Sequence, residues 1–198
     1  LQEILQDTIY LNLGLLTSKK VGLRPNLDIK YQIGYDLLGD IKVVPDSIVI
    51  SGPEDQIKKI AHLNLQRIKL NNLKENFSQN TNIIQPSKYK NLKFTNLKPL
   101  VSGNVERFTE GNLAIPFTIK NLPDGVNLTT LSEKVEVVFV VALSNFAKVS
   151  ETSFTVECDF KISEKNNLSY LIPKVITQPD FIKSVKIVPL KIDFLIQK

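Results

Sequence analysis

The sequence predicts a mostly β protein made of two tandem modules of short twisted strands, each with one short helix. Three observations carry this. Apolar and polar residues alternate along most of the 198-residue chain, helical periodicity is scarce, and one fourteen-residue pattern occurs twice at a spacing of 93. The first copy runs from Gln85-Pro86 to Leu97-Lys98 and the second from Gln178-Pro179 to Leu190-Lys191. Six of the fourteen positions are identical, and Leu92/Val185 and Phe94/Ile187 keep the apolar alternation. Chance gives about one identity at ordinary composition. A period this long marks a domain duplication, because solenoid repeats run roughly 20–50 residues.

A second anchor lies upstream, where Leu27, Ile29, Tyr31 and Ile33 match Leu113, Ile115, Phe117 and Ile119 at an offset of 86. The growth from 86 to 93 implies about seven inserted residues, best placed at the polar, turn-forming Lys165-Asn166-Asn167. The expected modules are residues 20–106 and 107–198, joined near Thr109-Glu110-Gly111-Asn112. Residues 1–19 fit neither copy. Asp7 to Leu13 read as a strand before a Gly14 turn, the end of a preceding module.

Within the first module, strands are expected at residues 27–33, 41–44, 47–50, 63–70, 81–84, 92–97 and 100–105. The apolar parity of Leu63, Leu65, Ile68 and Leu70 slips by one, so a bulge or bend is expected near Arg67. Residues 53–60 read as the helix, with Pro53 at the first helical position, Glu54 and Asp55 in the first turn, and Lys58 and Lys59 in the last. Its counterpart is residues 144–149. Val137 to Leu143 is a β-branched run that reads as a strand buried on both faces, and is too short for the ~20 apolar residues of a membrane span.

Composition removes much chemistry. One Cys cannot form an intramolecular disulfide, and one Cys with one His cannot build a thiolate or imidazole zinc site. His62 has no nucleophile motif near it and reads as a surface or capping residue. Cys158 lies among acidic neighbours, Glu157 and Asp159, and reads as a small core residue. Asp36, Asp40 and Asp46 lack calcium-loop spacing, and Glu54-Asp55 suits a helix start. Gly34, Gly39 and Gly52 form no phosphate loop. No catalytic, cofactor-binding or metal residue is assigned, and no cofactor is expected.

The net charge of +5 is spread out: Arg24, Arg67 and Arg107 are scattered, and Lys88, Lys90, Lys93 and Lys98 alternate with apolar residues. Those lysines, and the echo Lys183, Lys186 and Lys191, read as solvated strand faces. Tyr31 and Phe117 read as core residues before they read as base-stacking platforms. Asn76-Phe77-Ser78, Asn127-Leu128-Thr129 and Asn167-Leu168-Ser169 match the glycosylation pattern in an Asn-rich chain. No signal peptide is visible in the first residues, and the lack of methionine leads us to expect the distal part of a longer, anchored protein.

The stretch from Asp40 to Ile60 resembles the signature of YbbR-like domains: Pro45-Asp46-Ser47, an alternating Val/Ile strand, Gly52-Pro53, then a short helix. The strand at 27–33, the Gly34-Tyr35-Asp36 turn and the Leu70-Asn71-Asn72-Leu73 segment are similar to the family as well. Gly52 is expected to supply backbone angles open to glycine at that corner. In the second module Val141-Ala142-Leu143-Ser144-Asn145 replaces Ser51-Gly52-Pro53, so a different corner is expected there. The resemblance implies a non-catalytic extracytoplasmic regulator on a single-pass N-terminal membrane anchor. Its best-known form binds a membrane diadenylate cyclase, which makes cyclic di-AMP. It implies a protein partner, with no nucleic acid and no small-molecule substrate. The alternatives are a structural or adhesive envelope module and an RNA-binding β module.

Overall fold

The computed structural model describes residues 15–89, 91–95 and 97–197. The expected strand at residues 7–13 lies outside them. Strands dominate, as the alternation predicts, and the chain divides into two compact units, one of residues 15–32 with 37–105 and one of residues 33–36 with 106–197.

The first unit contains β1 (Leu16–Arg24), β2 (Leu27–Tyr31), most of β3 (Tyr35–Val44), β4 (Ser47–Pro53), α1 (Glu54–Ile57), β5 (His62–Asn64), β6 (Ile68–Leu73), β7 (Phe77–Asn80), β8 (Lys93–Phe94) and the start of β9 (Leu100–Lys120). The second contains the rest of β9, then β10 (Asn127–Thr130), β11 (Lys134–Ala142), α2 (Leu143–Phe146), β12 (Thr155–Asp159), α3 (Phe160–Lys165), β13 (Tyr170–Leu171), β14 (Pro173–Thr177), β15 (Ile182–Val188) and β16 (Ile192–Gln197).

The two units share a topology. In the first, β1 runs antiparallel to β4 and parallel to β5, and β4 pairs with β8, giving the order β5-β1-β4-β8. In the second, β9 runs antiparallel to β11 and parallel to β12, and β11 pairs with β15. The path extends through β14 to the order β14-β12-β9-β11-β15. The isolated bridge Leu65–Ile83 in the first unit corresponds to the β12–β14 pairing, so the expected strand at 81–84 survives there as one bridge. A separate three-stranded sheet, β10-β16-β13, completes the second unit.

This equivalence alters the alignment of the copies. Val21 faces Ile48, five residues before the cap residue Pro53, and Leu113 faces Val137, five residues before the cap residue Ala142. The strand holding Leu113 and Ile115 therefore corresponds to β1, and the match with Leu27 to Ile33 joins non-equivalent strands. Period-two alternation is common to every half-buried strand and cannot distinguish them. Lys165-Asn166-Asn167 ends α3: the Asn166 side-chain amide donates to the Ile162 carbonyl at 2.7 Å, and Asn167 has φ 51°. Leu16 to Lys19, expected outside the first module, open β1.

The expected join falls inside β9. Thr109, Glu110, Gly111 and Asn112 pair with Val141, Val140, Phe139 and Val138. Gly111 is there for space: a Cβ would stand 2.6 Å from Phe139 Cζ and 2.9 Å from Phe146 Cε2. Gly103 plays the same part in the first unit, 2.7 Å from Phe77 Cε1 and 2.9 Å from Leu37 Cδ1. Around these contacts Val135, Val137, Phe139 and Val141 bury one face of β11, while Val138 and Val140 on the other are half-buried. The parity slip near Arg67 appears as the break between β5 and β6.

Replacing Gly103 or Gly111 with Ala should lower stability by about 1–3 kcal/mol, the usual cost of overpacking a formed core. Gly22→Ala meets no atom within 4 Å and should be neutral or stabilising. Urea unfolding of the three variants checks this; equal effects would refute the close-approach role.

Candidate functional site

The signature corner is built from β4 into α1. Gly52 does not use left-handed backbone angles, in contrast to Gly34, Gly39 and Gly125. It is needed for room, because a Cβ there would meet the Asn91 carbonyl oxygen at 3.1 Å. Pro53 caps α1 with φ −56° and ψ 133°, and Ala142 caps α2 with φ −61° and ψ 139°. The corner expected to differ in the second unit thus follows nearly the same path, with other side chains.

The helix ends are served differently in the two units. Glu54 and Asp55 place negative charge in the first turn of α1, and Glu54 pairs with Lys58 at 2.5 Å. No acid lies in the first turn of α2. Instead Glu106, from β9, accepts from the Ser144 backbone N–H at 2.7 Å and from the Ser144 hydroxyl at 2.8 Å. Beyond α1, Lys19 of β1 donates to the Ile60 carbonyl at 2.8 Å, satisfying a carbonyl past the short helix.

The singled-out residues do not converge. His62 is exposed on β5, and Cys158 is fully buried in β12. Burial pushes the Cys158 thiol up to about 11. Asp46 accepts from the Ser47 hydroxyl at 2.6 Å. Among the described residues no cluster of three or more His, Cys, Asp or Glu has metal-site geometry. Phe117 packs against the core of the second unit, and Tyr31 is half-buried, its phenol held above the ordinary range by burial. The Asn76 side chain accepts from the Val105 N–H at 2.7 Å.

The lysine surfaces divide. Lys88, Lys93 and Lys98 are exposed, and Lys90 lies outside the described residues. The echo is not a uniform solvated face. Lys183 forms an ion pair with Asp36 and lies 4.9 Å from the centre of the Phe108 ring, while Lys191 lies 4.3 Å from that of Tyr170. Burial lowers the Lys183 ammonium below the ordinary lysine value. Lys186 remains exposed beside a groove of about 620 Å³ lined by β14, β15 and the turns that follow them. Sequence reading missed this groove. Its only sequence signal was the strand alternation of Val185 and Ile187.

The architecture is that of a protein of repeated β units whose surface consists of strand edges, grooves and short corners. The family model described as "YbbR-like protein" matches residues 21–139, and the chain belongs to that family. The match runs from β1 into β11 and so extends beyond the first module. A crystal structure of a YbbR-like protein from Streptococcus pneumoniae TIGR4 is similar at 8% identity, with a TM-score of 0.35, over 95% of this chain and 98% of that one. No curated protein sequence matches the chain.

Cys158 should resist thiol reagents in the native state at pH 8 and react on unfolding, since its raised value and burial both suppress the thiolate. The folded thiol keeps its proton to higher pH than the unfolded one. Its stabilising contribution is therefore present below about 9 and is lost as pH rises to about 11, at about 1.4 kcal/mol per unit. The stability gap between wild type and Cys158→Ala should narrow over that range; a constant gap would refute the assignment.

Proposed function

We propose that this chain is a non-catalytic binding and regulatory module that works outside the cytoplasm and controls a membrane diadenylate cyclase through contact. The observation that supports this reading most is membership of the YbbR-like family over residues 21–139, with the resemblance of Asp40 to Ile60 to the family signature. The β topology repeated in both units agrees with it, since tandem β units present several edges and corners to a protein partner. The membrane association in this reading rests on the family resemblance alone; among the described residues no helix is long and apolar enough to cross a membrane.

Two structural details favour a protein partner over RNA. Lys183 and Lys191 are engaged within their own unit, and the three arginines include Arg67, held by Asp28 at 2.8 Å. A nucleic-acid footprint needs a stripe of free cations.

The test is co-purification of the full-length protein with a diadenylate cyclase from bacterial membranes, with cyclic di-AMP measured in its presence and absence. Association and a change of roughly fivefold or more, the lower range of regulatory coupling, are expected. Absence of association together with an unchanged cyclic di-AMP level would overturn the reading. Capture of envelope glycan instead would favour the adhesive alternative.

A further inference from the structure

The second unit carries a groove between two open sheet edges. β14 and β15 are the end strands of the path β14-β12-β9-β11-β15, and among the described residues neither outer edge has a strand partner. Pro173 and Val175 form one wall, Val185, Ile187 and Val188 the other, and Leu190 lies at one end. Val188 is 50% exposed, Leu190 75% and the adjacent Ile176 54%, so apolar surface continues over the rim.

An open edge presents unpaired N–H and C=O groups and is the usual place for an added strand. The groove has the size for one. A strand residue occupies about 160 Å³, from a rise of about 3.3 Å, a strand spacing of about 4.8 Å and a sheet separation of about 10 Å. The groove volume of about 620 Å³ therefore holds about four residues.

Charge states which kind of strand. Residues 173–191 carry Lys174, Lys183, Lys186 and Lys191 against the single acid Asp180. Lys183 and Lys191 are engaged by Asp36 and Tyr170, and Lys186 is the charged residue lining the groove. It has no ion pair among the described residues. Pro173 lacks an N–H, so β15 offers the fuller hydrogen-bonding edge.

We propose that this groove binds an extended acidic segment of a partner protein, added as a strand along β15. Alternate apolar side chains of the segment enter between Val175 and the Val185/Ile187 wall, and its carboxylates face Lys186. This assignment holds whether or not the partner is a cyclase.

The probe is the capped hexapeptide Glu-Val-Glu-Ile-Glu-Val, titrated into isotope-labelled chain and followed by amide chemical shifts. Shifts confined to β14, β15 and their turns are expected. Lys186→Glu, at an exposed position that leaves the core intact, should weaken binding about tenfold and favour the lysine analogue of the peptide. N-methylation of alternate peptide nitrogens should abolish binding.

Equal binding of the methylated peptide, shifts elsewhere, or none at millimolar peptide would overturn the proposal. So would concentration-dependent shifts of these amides without peptide, which mark a contact between copies. Binding to phosphatidylglycerol vesicles lost in Val188→Glu would assign the groove to a membrane surface and likewise overturn it.

Discussion

Each unit is organised by one strand with hydrogen-bonded partners on both edges. β1 lies between β4 and β5, and β9 between β11 and β12. One partner is antiparallel and the other parallel, and the parallel one requires the chain to cross over before it can pair. The short helix and the connection after it make that crossing in both units. The register of the central strand then fixes its inward face. In β9 a slip of one residue would exchange the buried Ile115 for the exposed Ala114 or Pro116. Pro116 itself marks the change of partner, ending the β11 ladder before Phe117 opens the β12 ladder. There a missing N–H is tolerated.

The units keep this geometry with different chemistry. A Gly-Pro corner in one and a Val-Ala corner in the other leave the strand at nearly the same angles. Acidic groups serve both helix starts, locally from Glu54 and Asp55 in one and from the distant Glu106 in the other. What persists is alternation on the central strand and satisfaction of the backbone at the corner. These demands can be met by many residue pairs, which is why the second unit diverges in sequence without losing the topology.

The same frame shapes the surface. An open five-stranded path must end in two edges, and here both ends line one apolar groove. The basic character of the chain is partly spent within the fold, on Asp36, Glu157, Asp28 and the Tyr170 ring. Lys186 is left at the groove, so charge and unpaired backbone meet at one place.

The sequence alone determined the strand-rich class, a short helix directly after Gly52-Pro53, the break near Arg67 and the burial of Cys158, because each follows from local parity or residue type. The helix itself is shorter than the expected 53–60, with Pro53 as its extended N-cap and Lys58 already past its last turn. The tertiary structure decided which strands pair, since one alternating strand matches another equally well. It also decided the role of the glycines. Gly111 and Gly52 look like a join and a corner in sequence, yet both serve the approach of atoms distant along the chain. Asp159 as the N-cap of α3 was a local signal masked by the strand alternation before it. The groove could not be read locally at all. It exists only because two strands at opposite ends of a sheet, each unremarkable by itself, come to line the same space, and that placement is set by the partners of β9.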